Sequence, residues 1–170
     1  MDYKFKFLFY ICGCLIQLKA ISQTTYNIDS ELDSNEKTLT ISQTISFKNT
    51  SNIKLDKIYL NDWANSYEGT ESQLVNHLAN QFNRSFYFSA KNKLGYTEIE
   101  SINNENKSLR WSRLENQLDI VEVKLIETIN PGERIYISIK YKVKLPDDKF
   151  TGYGINSNNK IFFRDFFYKC

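Results

Sequence analysis

The stretch "KTLTISQTISFKN", residues 37–49, carries the pattern that decides the fold. Apolar side chains alternate with hydroxyl-rich ones, and the apolar set is Leu39, Ile41, Ile45 and Phe47. A period of two residues with one apolar side is typical of a β-strand that buries a single face. The stretch therefore predicts a half-buried strand.

The residues before this stretch predict its partner strand. "TYNIDSELD", residues 25–33, alternates in the same way with Tyr26, Ile28 and Leu32 on one side. The intervening "DSNE", residues 33–36, is rich in the residue types that form turns. The two runs together predict a long antiparallel hairpin.

Five later runs also have strand character: residues 54–62, 96–102, 108–114, 118–126 and 133–145. The last run alternates polar residues with Ile135, Ile137, Ile139, Tyr141, Val143 and Leu145. "NPGE", residues 130–133, joins the last two runs and predicts a type II turn, because Pro131 fixes φ and Gly132 tolerates a positive φ.

One segment departs from the period of two. "TESQLVNHLANQF", residues 70–82, places Leu74, Leu78 and Phe82 at the spacing of one helix face. Thr70 and Gln73 have the spacing of a capping box. We expect one α-helix over residues 71–83, inserted into a mostly β fold: an antiparallel β-sandwich or saddle.

The first 22 residues have the organisation of a secretory signal peptide. A basic start precedes the apolar run "FLFYICGCLIQL", residues 7–18, and small residues follow near Ala20 and Ser22. Twelve helical residues rise about 18 Å, which is too short for a permanent membrane span. We expect cleavage after Ser22 or Ala20 and a secreted, periplasmic or cell-envelope location. An alternative is lipid attachment at Cys14 within "ICGC".

Removing residues 1–22 changes the charge and cysteine counts. Without Lys4, Lys6, Lys19 and Asp2, the chain keeps 19 basic and 19 acidic residues, so it offers no basic surface stripe for nucleic acid. Only Cys170 of the three cysteines stays, which excludes an internal disulfide and a cysteine metal site. Residues 23–170 are the right length for a single domain.

The last residues, "NKIFFRDFFYKC", are densely aromatic. Residues 162–168 contain four phenylalanines and a tyrosine: Phe162, Phe163, Phe166, Phe167 and Tyr168. Such side chains need a surface to pack against. We therefore expect an exposed aromatic patch at Phe162 to Tyr168 and a β domain that is incomplete at its C-terminal end.

Candidate catalytic residues are few. A zinc hydrolase typically needs two histidines one helical turn apart and a glutamate, whereas this chain has the single His77. A Ser-His-Asp triad would depend on the same histidine, and glycine-rich phosphate loops are absent. Two carboxylate pairs, Asp147 with Asp148 and Glu98 with Glu100, fit a solvated turn and one strand face better than a glycosidase cleft.

Several aromatic residues could form a binding surface or fill the core. The possible binding or packing residues are Trp63, Tyr67 and Trp111, and Phe86, Tyr87 and Phe88 form a second group. Aromatic residues in strand-like contexts usually fill the core, which is the placement that we expect for these residues.

The stretch "IYLNDWANSY", residues 58–67, mixes carboxylate, carboxamide, hydroxyl and aromatic groups. It contains no histidine or cysteine that could complete a catalytic group. We interpret it as the end of a core strand, with Ile58 and Leu60 buried and with Trp63 and Tyr67 anchoring the turn that leads into the helix.

The order of these motifs resembles the start of the aminopeptidase N-like zinc metallopeptidases (gluzincins), especially their secreted bacterial branch. In that family a "Y-x-I-x-x-x-L-D" and "K-x-L-x-x-x-x-x-I-x-F-x-N" hairpin precedes "I-x-L-x-x-W-x-N-x-Y". The matching residues are Tyr26, Ile28, Leu32, Asp33, Lys37, Leu39, Ile45, Phe47, Asn49, Ile58, Leu60, Trp63, Asn65 and Tyr67. "GYTEIESI" and "NPGERIYISIKYKVKLPDDKFTGYG" also look like this branch, so the resemblance covers residues 24–155.

The resemblance implies a saddle-shaped β domain that precedes a thermolysin-like catalytic domain. The family's zinc ligands lie in an H-E-x-x-H helix and a later glutamate of that second domain, and this sequence has no H-E-x-x-H. No catalytic or metal residue is therefore assigned to this chain, and zinc is expected only in the catalytic partner domain, encoded in cis or separately.

Two other hypotheses stay open. The chain could be a free-standing secreted β-sandwich that binds sugar, peptide or a surface partner through Trp63 or Trp111. It could also be a subunit that docks onto a separately encoded catalytic chain.

Overall fold

The computed structural model describes residues 24–170. The predicted signal peptide, its cleavage site and Cys14 lie outside the described residues. Within residues 24–170 the chain forms ten strands: β1 (Thr24–Asp33), β2 (Thr38–Lys48), β3 (Leu55–Asn61), β4 (Tyr96–Asn104), β5 (Lys107–Ser108), β6 (Arg110–Leu114), β7 (Gln117–Ile129), β8 (Arg134–Lys144), β9 (Gly154–Ile155) and β10 (Ile161–Phe162). The described part also forms one α-helix, α1 (Gln73–Asn80), and 3₁₀ turns at Trp63–Tyr67 and Lys91–Lys93.

The strands form three antiparallel sheets. The largest has the order β1-β2-β8-β4-β5, the second has the order β3-β7-β6, and β9 pairs with β10. The predicted hairpin is β1 with β2, in continuous register from Thr24 opposite Phe47 to Asp33 opposite Thr38. The mostly β, antiparallel sandwich class predicted from the sequence is confirmed.

The core consists of the apolar faces that alternation places inward. Residues of β2 and β8 on this face are almost fully buried: Leu39, Ile41, Ile45, Ile137, Ile139, Tyr141 and Val143. The second sheet contributes Ile58 and Leu60 from β3 and Val121 and Val123 from β7. The period-two pattern therefore identified the buried faces of the central strands.

The predicted turn between β7 and β8 is also present. Gly132 has φ +84°, and the Glu133 N–H donates to the Asn130 carbonyl at 3.1 Å. Asn49 supports this corner from the neighbouring sheet, because its carbonyl accepts from the Gly132 N–H at 2.7 Å and its side chain donates to the Ile129 carbonyl at 3.1 Å.

The helix is shorter than residues 71–83 and begins at a different cap. The Ser72 hydroxyl accepts from the Val75 N–H at 3.2 Å, so Ser72 is the N-cap and the predicted capping box at Thr70 is wrong. At the other end Phe82 adopts φ +61° and is 93% exposed, so it ends the helix and does not join the apolar face.

Some aromatic residues are more exposed than the sequence predicted. Trp111 (39%), Tyr87 (48%) and Phe88 (84%) lie at the surface, so their predicted core placement is wrong. The predicted aromatic patch near the C-terminus is present at Phe162 and Phe163, which are about half exposed, but Tyr168 is buried.

Candidate functional site

The corner after β3 gathers the densest set of buried polar contacts, and Asp62 is at its centre. Ile58 and Leu60 are buried as expected, β3 ends at Asn61, and Asp62 enters the core with 4% of its surface exposed. Its Oδ2 accepts from Arg113 Nη1 at 2.7 Å and from the Tyr168 hydroxyl at 2.9 Å, and its Oδ1 accepts from the Thr97 hydroxyl at 2.9 Å. The carboxylate thereby joins three separate parts of the chain.

Arg113 balances the charge of this carboxylate. Arg113 Nη1 also donates to the Leu118 carbonyl at 2.8 Å, and Nη2 donates to the Thr97 carbonyl at 3.2 Å. Burial raises the pKa of the Asp62 carboxyl, while Arg113 and the two hydroxyl donors oppose the rise. Because this carboxylate is enclosed and fully hydrogen-bonded, its role is to stabilise the fold.

Asn65 extends the same corner from the 3₁₀ turn Trp63–Tyr67. Its Oδ1 accepts from the Thr97 N–H at 2.9 Å, and its Nδ2 donates to the Leu118 carbonyl at 2.9 Å and to Glu68 at 2.8 Å. The side chain is fully buried. One carboxamide therefore fixes the turn to β4 and to the start of β7.

Gln43 holds the C-terminal segment and was not identified from the sequence. It lies on the buried face of β2, where its Oε1 accepts from the Tyr141 hydroxyl at 2.8 Å and from the Tyr168 N–H at 3.0 Å. Its Nε2 donates to the Tyr168 carbonyl at 2.7 Å. The available signal was a polar residue at an apolar position of the β2 alternation.

Trp63 and Tyr67 belong to an aromatic cluster beside this network. The Trp63 ring lies 5.1 Å from both Tyr67 and Tyr153, measured between ring centroids, and Phe86 stacks on Phe150 at 4.0 Å. Tyr67 is fully buried, and burial raises the pKa of its hydroxyl to about 12. The structure therefore brings Trp63 and Tyr67 together and places Trp111 elsewhere, on β6 opposite Val123.

The carboxylate pairs do not form a cleft. Asp147 lies 3.6 Å from Lys93 Nζ, and its Oδ1 accepts from the Lys149 N–H at 3.2 Å within a turn. Glu98 lies opposite Lys142 across the strands, and Glu100 lies 3.4 Å from Lys142 Nζ. These positions match the solvated turn and the common strand face that the sequence predicted.

The residues present do not fit a zinc ion. His77 is exposed on α1, with one ring nitrogen 3.1 Å from Gln81 Nε2. No group of three or more His, Cys, Asp or Glu side chains suited to a metal occurs within residues 24–170.

A search for membrane-crossing helices among residues 24–170 identifies none of sufficient length and apolar character.

Comparison with known proteins gave matches among solved structures alone: no family model matches the chain, and no curated protein matches it. The chain is similar to an M1 zinc metallopeptidase from Deinococcus radiodurans, with 16% identity, a TM-score of 0.42 and coverage of 71% of this chain and 19% of that one. It is also similar to a mutant M1 zinc metallopeptidase from Deinococcus radiodurans bound to a Tyr-Ser-Ala substrate, and to a two-domain M1 zinc metallopeptidase mutant bound to L-tryptophan. Each of these two matches has 16% identity, a TM-score of 0.43 and coverage of 71% of this chain. The chain spans about a fifth of the length of these solved chains.

Proposed function

We propose that this chain serves as the non-catalytic, amino-terminal β domain of an aminopeptidase N-like zinc metallopeptidase. In this role it packs on a catalytic domain that carries H-E-x-x-H and helps to shape the cavity in which peptides are cleaved. Zinc and the reacting groups belong to that partner domain.

The observation that carries the proposal is the order of the motifs between Tyr26 and Tyr67, together with the structural roles of the motif residues in the fold. Several of them are buried framework residues: Leu39, Ile45, Asn49, Ile58, Leu60, Asn65 and Tyr67. Asn49 and Asn65 each make hydrogen bonds that fix a corner between the two larger sheets. The sequence matches the motif at the polar corner residues Asn49 and Asn65 as well as at the apolar positions. This match supports a shared domain framework more strongly than strand alternation alone.

The proposal extends to cellular location. Residues 1–22 direct export, cleavage follows Ser22 or Ala20, and the domain acts outside the cytoplasm, with lipid attachment at Cys14 as the alternative. Mass spectrometry of the secreted chain distinguishes the two, because cleavage leaves an unmodified amino terminus whereas attachment adds acyl mass at the cysteine.

The experiment that tests the function compares the chain alone with a joined form. The purified chain is assayed with zinc and aminoacyl p-nitroanilides, and the same assay is run after fusion to a catalytic domain that contains H-E-x-x-H. We expect no turnover by the chain alone and metal-dependent turnover by the fusion. Metal-dependent turnover by the chain alone would overturn the proposal.

The reading frame that follows codon 170 provides an independent check. An H-E-x-x-H sequence in the same frame, or after a frameshift, supports a peptidase encoded in one locus. If neither the same locus nor a neighbouring gene encodes such a helix, the proposal loses its catalytic partner.

A second candidate function, a free-standing binding module for sugar or peptide, has one observation in its favour. A groove of about 610 Å³ is formed in part by residues 68–71, which precede α1, and is lined by exposed Tyr87 and Tyr96 with Glu68, Glu71 and Lys91. Exposed rings flanked by carboxylates suit stacking and hydrogen bonding. Tyr87→Ala should abolish oligosaccharide or peptide binding measured by calorimetry, while Tyr136→Ala, on β8 outside the groove, should leave it unchanged.

A further inference from the structure

Strand β1 forms one edge of the five-stranded sheet and is regular over its whole length. All ten of its residues pair with β2 in continuous register, without a bulge. Among residues 24–170, β2 is its sole strand partner. Along residues 25–33 the backbone edge that faces away from β2 is therefore a nine-residue template for another strand.

The other edges of the two larger sheets are blunted in ways that prevent strand addition. β5 is two residues long, and the rest of that edge is β4, which has a register shift between Ile99 and Ser101. β3 has a register shift beside Lys57, and β6 is five residues long with an irregularity between Arg113 and Leu114. β1 has neither a bulge nor a proline, and its charged side chains are all acidic, so it is protected against acidic or identical strands but not against a cationic one.

The outward side chains of β1 are acidic. The register places Asp29 opposite Ser42 and Glu31 opposite Thr40, on the outer face of the sheet. Together with Glu100 and Lys140 they line a shallow groove of about 530 Å³. Three carboxylates and one amine leave this groove with an excess of negative charge.

The inward side chains of β1 are apolar and incompletely covered. Tyr26 is 36% exposed and Leu32 is 40% exposed, and Ile28 between them is half-buried. Tyr26 is covered on one side by the Phe167 ring at 5.8 Å. A further strand beside β1 would cover the remaining apolar surface.

A second copy of this chain is a poor occupant of this edge. Antiparallel pairing of two β1 strands over residues 25–33 would set Asp29 directly opposite the Asp29 of the other copy, with Glu31 and Asp33 on the same face. Like charges directly opposite each other in a sheet are destabilising. The charge pattern favours a partner of opposite sign.

We propose that β1 is a docking edge for an extended peptide segment in which lysine or arginine alternates with apolar residues. The segment adds to the sheet as a sixth strand through main-chain hydrogen bonds. Its cations face Asp29 and Glu31, and its apolar residues cover Tyr26 and Leu32. This inference is independent of the proposed catalytic partner.

The test uses the purified chain and three labelled ten-residue peptides, with binding measured by fluorescence anisotropy. The first peptide alternates lysine with valine and threonine. The second replaces each lysine with glutamate, and the third keeps the lysine sequence but carries N-methyl groups on alternate backbone amides. We expect the lysine peptide to bind and the other two to bind at least tenfold more weakly.

Matched variants of the chain locate the site. Asp29→Lys/Glu31→Lys should weaken binding of the lysine peptide at least tenfold, whereas Glu115→Lys/Glu127→Lys, with the same change of net charge, should change it less than twofold. Circular dichroism checks that both variants are folded.

Three results would overturn the proposal: no binding of the lysine peptide, equal binding of the N-methylated peptide, or equal loss in the two variants. Equal binding of the N-methylated peptide would mean attraction by charge without strand addition. If the β1 variant does not fold, the N-methylated peptide decides the question on the unchanged chain.

Discussion

Asp62 shows how one residue of an apparently reactive stretch serves the fold. Its carboxylate is buried, and its charge is balanced by Arg113 at 2.7 Å. Burying two charges is costly unless both are paired and hydrogen-bonded, as they are here. The main effect of the pair is therefore to fix how three segments of the chain meet, and its net contribution to the free energy of unfolding is small.

Removing one partner should be far more damaging than removing both. We expect Asp62→Ala to lower the free energy of unfolding by about 3–5 kcal/mol, because the partly buried Arg113 is left without its counterion. The double variant Asp62→Leu/Arg113→Met should recover part of the loss. Urea denaturation followed by circular dichroism measures both.

Glu100→Ala is the control for this pair, because its ion pair with Lys142 is exposed and is worth about 0–1 kcal/mol. A loss in Asp62→Ala no larger than in this control would contradict the structural role of the carboxylate.

Gln43 provides a second prediction at this scale. Gln43→Leu should cost about 2–3 kcal/mol, because the Tyr141 hydroxyl and the Tyr168 N–H lose their acceptor inside the core. It should also accelerate amide exchange at Lys169, which is held by Tyr168 and the bridge to Asn61. Ser42→Ala, on the outer face of the same strand, should change neither, and equal effects of the two would show that Gln43 has no special function in anchoring this segment.

At the scale of elements, α1 depends on a cap that the sequence pattern misplaced. Ser72→Ala should destabilise the chain by about 1 kcal/mol, because the Val75 N–H loses its acceptor. Thr70→Ala should have no effect of that size. Thermal unfolding of the two variants distinguishes them, and the reverse order would restore the capping box predicted from the sequence.

The start of β9 depends on one glycine for a steric reason. Gly154 has φ +121°, and a Cβ at this position would lie 2.0 Å from the Pro146 carbonyl oxygen. We expect Gly154→Ala to lower the free energy of unfolding by about 2–4 kcal/mol, through backbone strain together with a clash against main-chain atoms.

The matched control for this glycine is Gly152→Ala. Gly152 also has a positive φ, +80°, but an added Cβ meets nothing within 4 Å, so the loss should be near 1 kcal/mol. Equal losses in denaturant titrations would mean that the close approach to Pro146 has no energetic weight.

The strands were predictable because alternation is a local signal. The buried face of β8 follows directly from its six alternating apolar residues, five of them within the strand and Leu145 just after it. The end of α1 was not predictable, because it depends on the left-handed conformation of Phe82, which apolar spacing does not encode. The contact between Gln43 and Tyr168 was not predictable for a different reason. The two residues are 125 positions apart, and neither segment contains a sign of the other.

The function of the "IYLNDWANSY" corner was predictable only in part. Its lack of a histidine or cysteine indicated a structural region, and the buried Ile58 and Leu60 followed from alternation. The partners of Asp62 come from β4, β6 and the C-terminal segment, so no spacing within the stretch could identify them.

At the scale of the whole molecule, buried tyrosines determine the behaviour in alkali. Burial raises the pKa of Tyr67 to about 12 and also raises the pKa values of Tyr141, Tyr153 and Tyr168. In the unfolded chain these groups ionise near pH 10. Above that pH the folded state binds more protons than the unfolded state, so the free energy of unfolding is complete below about pH 10 and falls as the pH rises towards 12 and beyond.

A pH titration followed by near-ultraviolet tyrosinate absorbance and by circular dichroism tests this expectation. A late absorbance phase should coincide with the loss of β signal. Tyr153→Phe should reduce the loss of stability, because its buried hydroxyl has no hydrogen-bond partner among the residues described, whereas Tyr136→Phe at the surface should not. Late absorbance without unfolding would contradict the prediction.

The pairing of β2 with β8 has a consequence for synthesis of the chain. At about 5–20 residues per second, β8 is completed roughly 5–20 s after β2, because about a hundred residues separate their ends. Through that interval the hairpin of β1 and β2 lacks the strand that pairs with the second edge of β2. We therefore expect translational pausing within residues 49–133 to lengthen the time during which this unpaired edge is open to aggregation and proteolysis.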